Sequence, residues 1–360
     1  MSLMTKYNIL IMGASYGSLL GSKLALAGHS VNMVCLPEEA DLINAEGARV
    51  RLPIRSLGEI VEINSKIAPG KLSATTTQRV DISEYDLVAL AMQEPQYRSP
   101  GVRELMDEIA KAGLPCVSIM NMPPLPYLAR IPGLEISALN QCYTDHTVWE
   151  NFDPALVTLC SPDPQAFRPP DEKVNLLQVG LPTNFKVARF DSDQHTAIVR
   201  QLETDIDAIR YDFNGDPIEL PVKLRVHDSL FVPLAKWSML LTGNYRCVRE
   251  RDMQPIKDAV HGDLDLSRRV YNWVCDVCQS IGASEKDQVP FEKYAKAAEG
   301  LLKPSSAARA LLAGAPNIER TDLLVQTIAG MKGMQLDVVD ETVAMVNRWV
   351  ETNREKSDQS

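Results

Sequence analysis

The stretch YNILIMGASYGSLLGSKLALAGHSVNMV, Tyr7 to Val34, reads as strand, glycine turn, helix and second strand with almost nothing between them. Asn8 to Met12 is an apolar run long enough for a buried parallel strand, and Gly13 breaks it. Leu19, Leu20, Lys23, Leu24 and Leu26 then follow with mostly helical spacing until Gly28 ends the helix, and Ser30 to Cys35 resumes as a strand. This is how a nucleotide-binding βαβ unit begins. Backbone N–H groups at a helix N-terminus point outward, and a glycine turn lets a pyrophosphate come close to them. The turn departs from G-x-G-x-x-G: it reads Gly13-Ala14-Ser15-Tyr16-Gly17, with Gly21 following inside the helix. An ordinary α/β turn without a ligand is the alternative. The place of the turn between two good strands favours these five residues as a cofactor cradle.

Further along, Gly47 to Leu52 and Ile60 to Ile63 have the pattern of short strands, and Tyr85 to Met92 is a bounded apolar run that reads as the next parallel strand. Val102 to Ala112 is spaced as a helix, and Pro115 to Met120 is a strand running into Asn121-Met122-Pro123-Pro124. Strand alternating with helix implies a doubly wound sheet. Loops at the carboxyl ends of its strands face the ligand, so Gly13–Gly17, Met92–Pro95 and Asn121–Pro124 share one rim. From Ile136 to about Arg189 come short extended pieces, ISALNQCY, ALVTLC, VNLLQVG and FKVARF, read as an antiparallel extension. Asp191 to Ile209 is helical in pattern, and NGDPIELPVKLR carries the turn signals of a boundary. Val226 to Thr352 offers four or five helical patterns and no convincing strand. The expectation is an α/β chain: a Rossmann-like doubly wound domain with an antiparallel extension over 4–221, then an all-helical domain over 222–353, with Glu351–Ser360 as a frayed polar tail.

A length of 360 residues suits two domains, and 45% hydrophobic content supports sizeable cores. A net charge of −10 with no basic block argues against nucleic acid or an anionic membrane as the main partner. No run of 18 apolar residues exists and Met1–Lys6 lacks the build of a secretion signal, so the expectation is a soluble cytoplasmic chain acting on a small molecule. The seven cysteines are scattered in apolar surroundings, as reduced buried thiols are. Cys275 and Cys278 form a C-x-x-C pair, but with no second pair or histidine at ligand spacing they read as core packing rather than zinc ligands. The five histidines are dispersed, and His29 reads as a turn residue before the second strand.

In the helical half, LFVPLAKWSMLLTGNYRCV places Lys236 in an otherwise apolar helix, with Asn244 eight residues on and roughly on the same face. A lysine snorkelling to solvent beside an asparagine near a helix end is the plain alternative. Taken together, the βαβ start with AGHSV, the Asn121 after PCVSIM, the Lys-x7-Asn helix, and PSSAARALLAG followed by IER resemble the ketopantoate reductase family. The resemblance runs in order over most of the chain, with the segment between Asn121 and Lys236 longer than in that family. It implies NADPH-dependent reduction of the ketone of a 2-oxo acid to a 2-hydroxy acid, in a cleft between a Rossmann domain and a helical one. It makes Lys236 the general acid and Asn244 and Ser306 substrate contacts. Asn121 and Glu319 face both substrate and cofactor, with Glu319 ordering the lysine and matching after one inserted residue in GAPNIE.

Such chemistry is coherent for these residue types. Hydride reaching a carbonyl carbon makes an alkoxide, which needs a proton donor, and a partly desolvated lysine can be tuned toward neutrality. Asparagine and serine supply fixed donors to a carboxylate without adding a titrating charge. The departures lie on the cofactor side. Where the family has an arginine after the second strand, this chain has Cys35-Leu36-Pro37-Glu38-Glu39. Where it has a lysine after YDLVALAM, this chain has Gln93, and Leu240 replaces an asparagine midway between Lys236 and Asn244. With neither cation present, and Glu38 or Glu39 suited to a ribose hydroxyl and unsuited to a 2′-phosphate, NAD is a live alternative to the NADP that the resemblance implies. Two other functions stay open: a catalytically silent relative that binds a nucleotide or partner, and an opine-type or other hydroxy-acid dehydrogenase. A homodimer is also left open.

Overall fold

The computed structural model describes Thr5–Gln359, so Met1–Met4 of the stretch used to judge a secretion signal lie outside it. The chain divides into two compact units, the first made of 1–92, 99–127 and 148–228 and the second of 93–98, 128–147 and 229–360.

The first unit is built on an eight-stranded sheet. In chain order its strands are β1 Asn8–Met12, β2 Ser30–Val34, β3 Arg49–Ile54, β4 Glu59–Asn64, β5 Lys71–Thr75, β6 Leu87–Leu90, β7 Cys116–Ile119, β8 Val157–Ser161, β9 Gln165–Phe167, β10 Leu176–Leu181, β11 Phe185–Ala188, β12 Tyr211–Phe213, β13 Asp216–Ile218 and β14 Leu224–His227. The main sheet runs β14-β11-β8-β7-β6-β1-β2-β5, and β3, β4, β9 and β10 form a second sheet. Strands β5 to β8 of the main sheet are parallel to β1 and β2, and only β11, with β14 beside it, runs against β8. β6, β7 and β8 are buried along their whole length, as parallel strands covered on both faces must be. Strand order reverses at β1, with β2 on one side and β6 on the other, which is the switch point where doubly wound folds bind ligands. Helices α1 Tyr16–Leu26, α2 Pro37–Glu46, α3 Val102–Ala112, the short α4 Leu125–Leu128 and α5 Asp193–Asp207 make the crossovers and cover.

Three differences from the sequence reading have physical causes. ALVTLC forms β8 parallel to β7, extending the main sheet, and β10 pairs in parallel with β3, so among the described residues the antiparallel strand pairs are β11 on β8, β9 on β10, β4 on β3 and the small hairpin of β12 and β13. ISALNQCY is no strand: Ser137–Cys142 is a 3-10 helix that buries Leu139 and Cys142, whose separation matches its three-residue turn. β14 follows Pro221 yet pairs with β11, so the first unit runs on to Asp228.

The second unit is helical: α6 Lys236–Met239, α7 Ile256–His261, α8 Leu264–Ser280, α9 Phe291–Ala298, α10 Ser306–Leu312, α11 Thr321–Met331 and α12 Asp337–Asp358. Its β pairing among the described residues is one isolated bridge, Val248 with Met253. The C-terminal segment does not fray at Glu351. α12 continues to Asp358 because Asn353 is buried and its side-chain amide donates to the carbonyls of Leu311 (2.8 Å) and Ala315 (3.1 Å).

Candidate active site

The turn after β1 is one that only glycine can make at its first position. Gly13 has φ +99°, and a β-carbon there would meet the Ala91 carbonyl and the Met92 side chain at 2.9 Å, so another residue is excluded by both strain and space. Gly17 serves close packing of α1 on β1, since a β-carbon would lie 2.7 Å from Ile11. Ser15 stands where the middle glycine is sought. It needs no glycine, because its φ is −77°, and its side chain is exposed and forms no cap bond to α1. Ala14 is buried beneath it. The first turn of α1 holds no acidic residue, so nothing in it opposes an anion. Tyr16 turns aside and donates its hydroxyl to the Pro164 carbonyl, 2.9 Å away.

After β2, Glu39 is buried in the first turn of α2 and is ion-paired with Arg168. Sequence reading left this carboxylate for a ribose and placed no cation nearby. Arg168 is far away in the chain, so spacing gave no sign of it. Asn121 is half-buried two residues after β7, beyond the carboxyl end of a strand that neighbours β6. In the loop after β6, Gln93 is exposed and Glu94 is buried.

In the second unit, Lys236 opens α6 and is half-buried. The helix does not continue with α spacing: Leu240–Asn244 is a π turn, followed by a 3-10 turn at Tyr245–Cys247. This matters for the pair. At 3.6 residues per turn Asn244 would stand about 80° round the helix from Lys236, and the smaller rotation per residue of a π turn swings it back toward the lysine's line. Gly243 makes the turn possible: the Tyr294 hydroxyl occupies the space of its missing side chain and donates to the Met239 carbonyl at 3.0 Å. Leu240, at the position of the family's asparagine, is buried and packs as core.

Glu319 is buried and is bound to the same helix, because Tyr245, the residue after Asn244, donates its hydroxyl to the Glu319 carbonyl at 2.6 Å and accepts the Thr321 N–H at 3.0 Å. Ser305 donates to the Asn244 carbonyl at 2.8 Å while capping α10, so PSSAARALL is fastened to the end of the π turn. Ser306 beside it is exposed at the first position of α10. The second unit therefore fastens the Glu319 main chain and Ser305 to the segment that carries Lys236 and Asn244.

Glu94 is a member of this unit that the sequence did not flag. It is 3% exposed and accepts both the N–H of Thr144 at 2.9 Å and its hydroxyl at 2.8 Å. Burial, reinforced by the Glu319 charge, pushes its carboxyl up to about 7.

No family profile and no curated protein matches the sequence. Solved structures do match. A protein of Ralstonia solanacearum MolK2 described as a ketopantoate reductase superposes with a TM-score of 0.69 at 16% identity, over 97% of this chain and 99% of its own. The 2-dehydropantoate 2-reductase of Methylococcus capsulatus gives 0.66 at 12% identity, over 96% and 97%. The fold is that of the ketopantoate reductases. A D-mandelate dehydrogenase solved with NADH and anilino(oxo)acetate shares it at a TM-score of 0.62 and 13% identity, over 96% of this chain and 99% of that one. On the ketopantoate reductase fold, the segment between Asn121 and Lys236 contributes β8 to β11, α5 and β14, and brings Arg168 to Glu39.

Proposed function

We propose that this chain is a nicotinamide-dependent oxidoreductase of the ketopantoate reductase type that reduces the ketone of a 2-oxo acid to a 2-hydroxy acid. The observation that carries the reading is the Lys236–Asn244 segment, where an α turn passes into a π turn and lines a half-buried lysine up with an asparagine. A plain surface lysine gives no reason for such a turn, whereas π turns gather at functional sites. The turn suits a dinucleotide: Gly13 lets it close tightly on Ala91 and Met92 at the end of β6, and α1 presents an N-terminus free of acidic residues.

When bound, the reduced nicotinamide supplies the hydride. In this reading Lys236 gives its proton to the carbonyl oxygen as negative charge develops there. Asn244 and Ser306 orient the substrate by hydrogen bonds to its carboxylate, and in the first unit Asn121, beyond its strand end, is assigned to the cofactor. Glu319, whose carbonyl is held by the Tyr245 hydroxyl, sets the position and proton affinity of the lysine.

The test is turnover of alkyl and aryl 2-oxo acids, followed through nicotinamide absorbance. Lys236→Ala is expected to lower kcat by about 10² to 10⁴ with nucleotide affinity nearly unchanged. Retention of more than about a tenth of the activity would move the proton-donor role elsewhere. Nucleotide binding with no turnover of any 2-oxo acid would favour a silent binding protein.

A further inference from the structure

The loop that follows β8 is fastened across the carboxyl ends of β1 and β2. Asp163 pairs with Lys186 of β11 at 2.8 Å and bonds to Ser161, the last residue of β8. Pro164 accepts the hydroxyl of Tyr16, in the glycine turn after β1, at 2.9 Å. Ala166 is matched with Val179 of β10 and packs on the core, and Arg168 then reaches Glu39, in the first turn after β2. One short segment thus touches the two turns which, in a βαβ nucleotide site, face the pyrophosphate and the adenosine ribose respectively.

The polarity of the Glu39–Arg168 pair decides what it reads. A lone carboxylate after β2 would accept a ribose hydroxyl and repel a 2′-phosphate. Here that carboxylate is consumed by the guanidinium, and the arginine is the outward member, with 32% of its side chain accessible against 12% for Glu39. A guanidinium presents a planar fork of donors, so an edge bonded to one carboxylate leaves others for a phosphate. It stands at the N-terminus of the ten-residue α2, whose backbone adds to the positive potential. Exposed Leu36, the residue that precedes α2, offers an apolar surface at the same end of β2.

We propose that the 162–168 segment is a clasp for the adenosine half of the nucleotide, and that Arg168, positioned by Glu39, recognises the 2′-phosphate of NADPH. The clasp replaces the cation that the stretch after β2 lacks, and it gives the long middle segment a role. The proposal rests on the nicotinamide reading above.

Fluorescence titration of NADPH and NADH into the full-length chain tests it. Wild type is expected to prefer NADPH by about tenfold or more, and Arg168→Ala to lose about ten- to a hundredfold of NADPH affinity, the range for a bond to a charged group, while NADH, with no 2′-phosphate to lose, moves less than about threefold. Glu39→Gln is expected to reduce the NADPH-to-NADH ratio in the same direction, whereas a merely structural role for Glu39 would weaken both ligands equally. Equal affinities in wild type with a ratio unmoved by Arg168→Ala would overturn the proposal and leave the nicotinamide reading standing. Binding of neither nucleotide to the folded chain would overturn that reading and the clasp with it.

Discussion

Glu94 shows how a single carboxyl can be shaped by parts of the chain that no local pattern connects. In the sequence it is one acidic residue in the loop QEPQY, of a kind that normally faces water, and attention falls on Gln93 because of its alignment. Its burial comes from Thr144, fifty residues away, which wraps both carboxyl oxygens. Desolvation then raises its proton affinity, and the neighbouring Glu319 raises it further, from an ordinary 4.5 to about 7. The sign of the consequence is fixed by linkage: the folded form holds a proton that the unfolded chain has released, so this group's stabilisation is full below about pH 4.5 and is lost as pH rises through about 7. Between about pH 5 and pH 8 the wild type should lose on the order of 1 to 3 kcal/mol relative to Glu94→Gln, which cannot ionise. Urea midpoints measured across that range check this, and parallel curves for the two proteins would rule it out.

At the scale of elements, the short helix carrying Lys236 depends on Gly243. The eight-residue gap between Lys236 and Asn244 was legible, because it is a local spacing. The π turn between them was not, because periodicity reading assumes one constant rotation per residue, and the cause of the change is Tyr294 in a different helix. A β-carbon at Gly243 would sit 2.1 Å from the Tyr294 hydroxyl and 3.0 Å from Ile256, so Gly243→Ala must displace the bond from Tyr294 to the Met239 carbonyl. A loss of about 1 to 3 kcal/mol is expected from this overpacking, and the proposed function adds a raised KM for the 2-oxo acid as Asn244 leaves the lysine's line. Removing the obstructing hydroxyl by Tyr294→Phe should recover part of the stability in the double variant, giving a coupling of about 0.5 kcal/mol or more. Strict additivity in that cycle would mean that Gly243 and Tyr294 do not hold the turn together. The turn after β1 was more legible: a glycine at a strand end is a local signal of positive φ, and Gly13 has it. The Arg168 contact to Glu39 was out of reach because it joins two loops far apart in sequence.

Across the whole molecule, the parts of the architecture that follow from periodicity were readable, and those that follow from partner choice were not. β1, β2, β6 and β7 each announce themselves as apolar runs, whereas whether ALVTLC runs parallel or antiparallel to its neighbour is decided by the crossover before it. The same separation between local composition and distant packing appears in how the two units respond to pH. In the first unit Lys23 is 2% exposed, with its ammonium bonded to the Pro221 carbonyl at 2.5 Å, and burial, aided by the nearby Lys223 charge, lowers its pKa to about 7. His29, which the sequence presents as a turn residue, is buried between the Tyr7 N–H and Asp205, at 3.2 and 3.1 Å, and burial lowers its pKa despite the carboxylate. For both bases the unfolded chain binds the proton more tightly, so the first unit loses stability as pH falls from the unfolded values of 10.5 and 6.5 toward the folded ones. In the second unit Glu94 acts with the opposite sign and gains stability as pH falls through about 7 toward 4.5. Pulse-labelling hydrogen exchange across a urea series at about pH 8.5 and about pH 6 should therefore show the unfolding midpoint of peptides from β1 and β7 moving down, and that of peptides from α8 and α12 moving up. Lys23→Met, which keeps the length of the side chain without its charge, should flatten the first shift and leave the second alone. Midpoints that move together in both units, or a first-unit shift that survives Lys23→Met and a histidine replacement at His29, would show that other groups set the pH response.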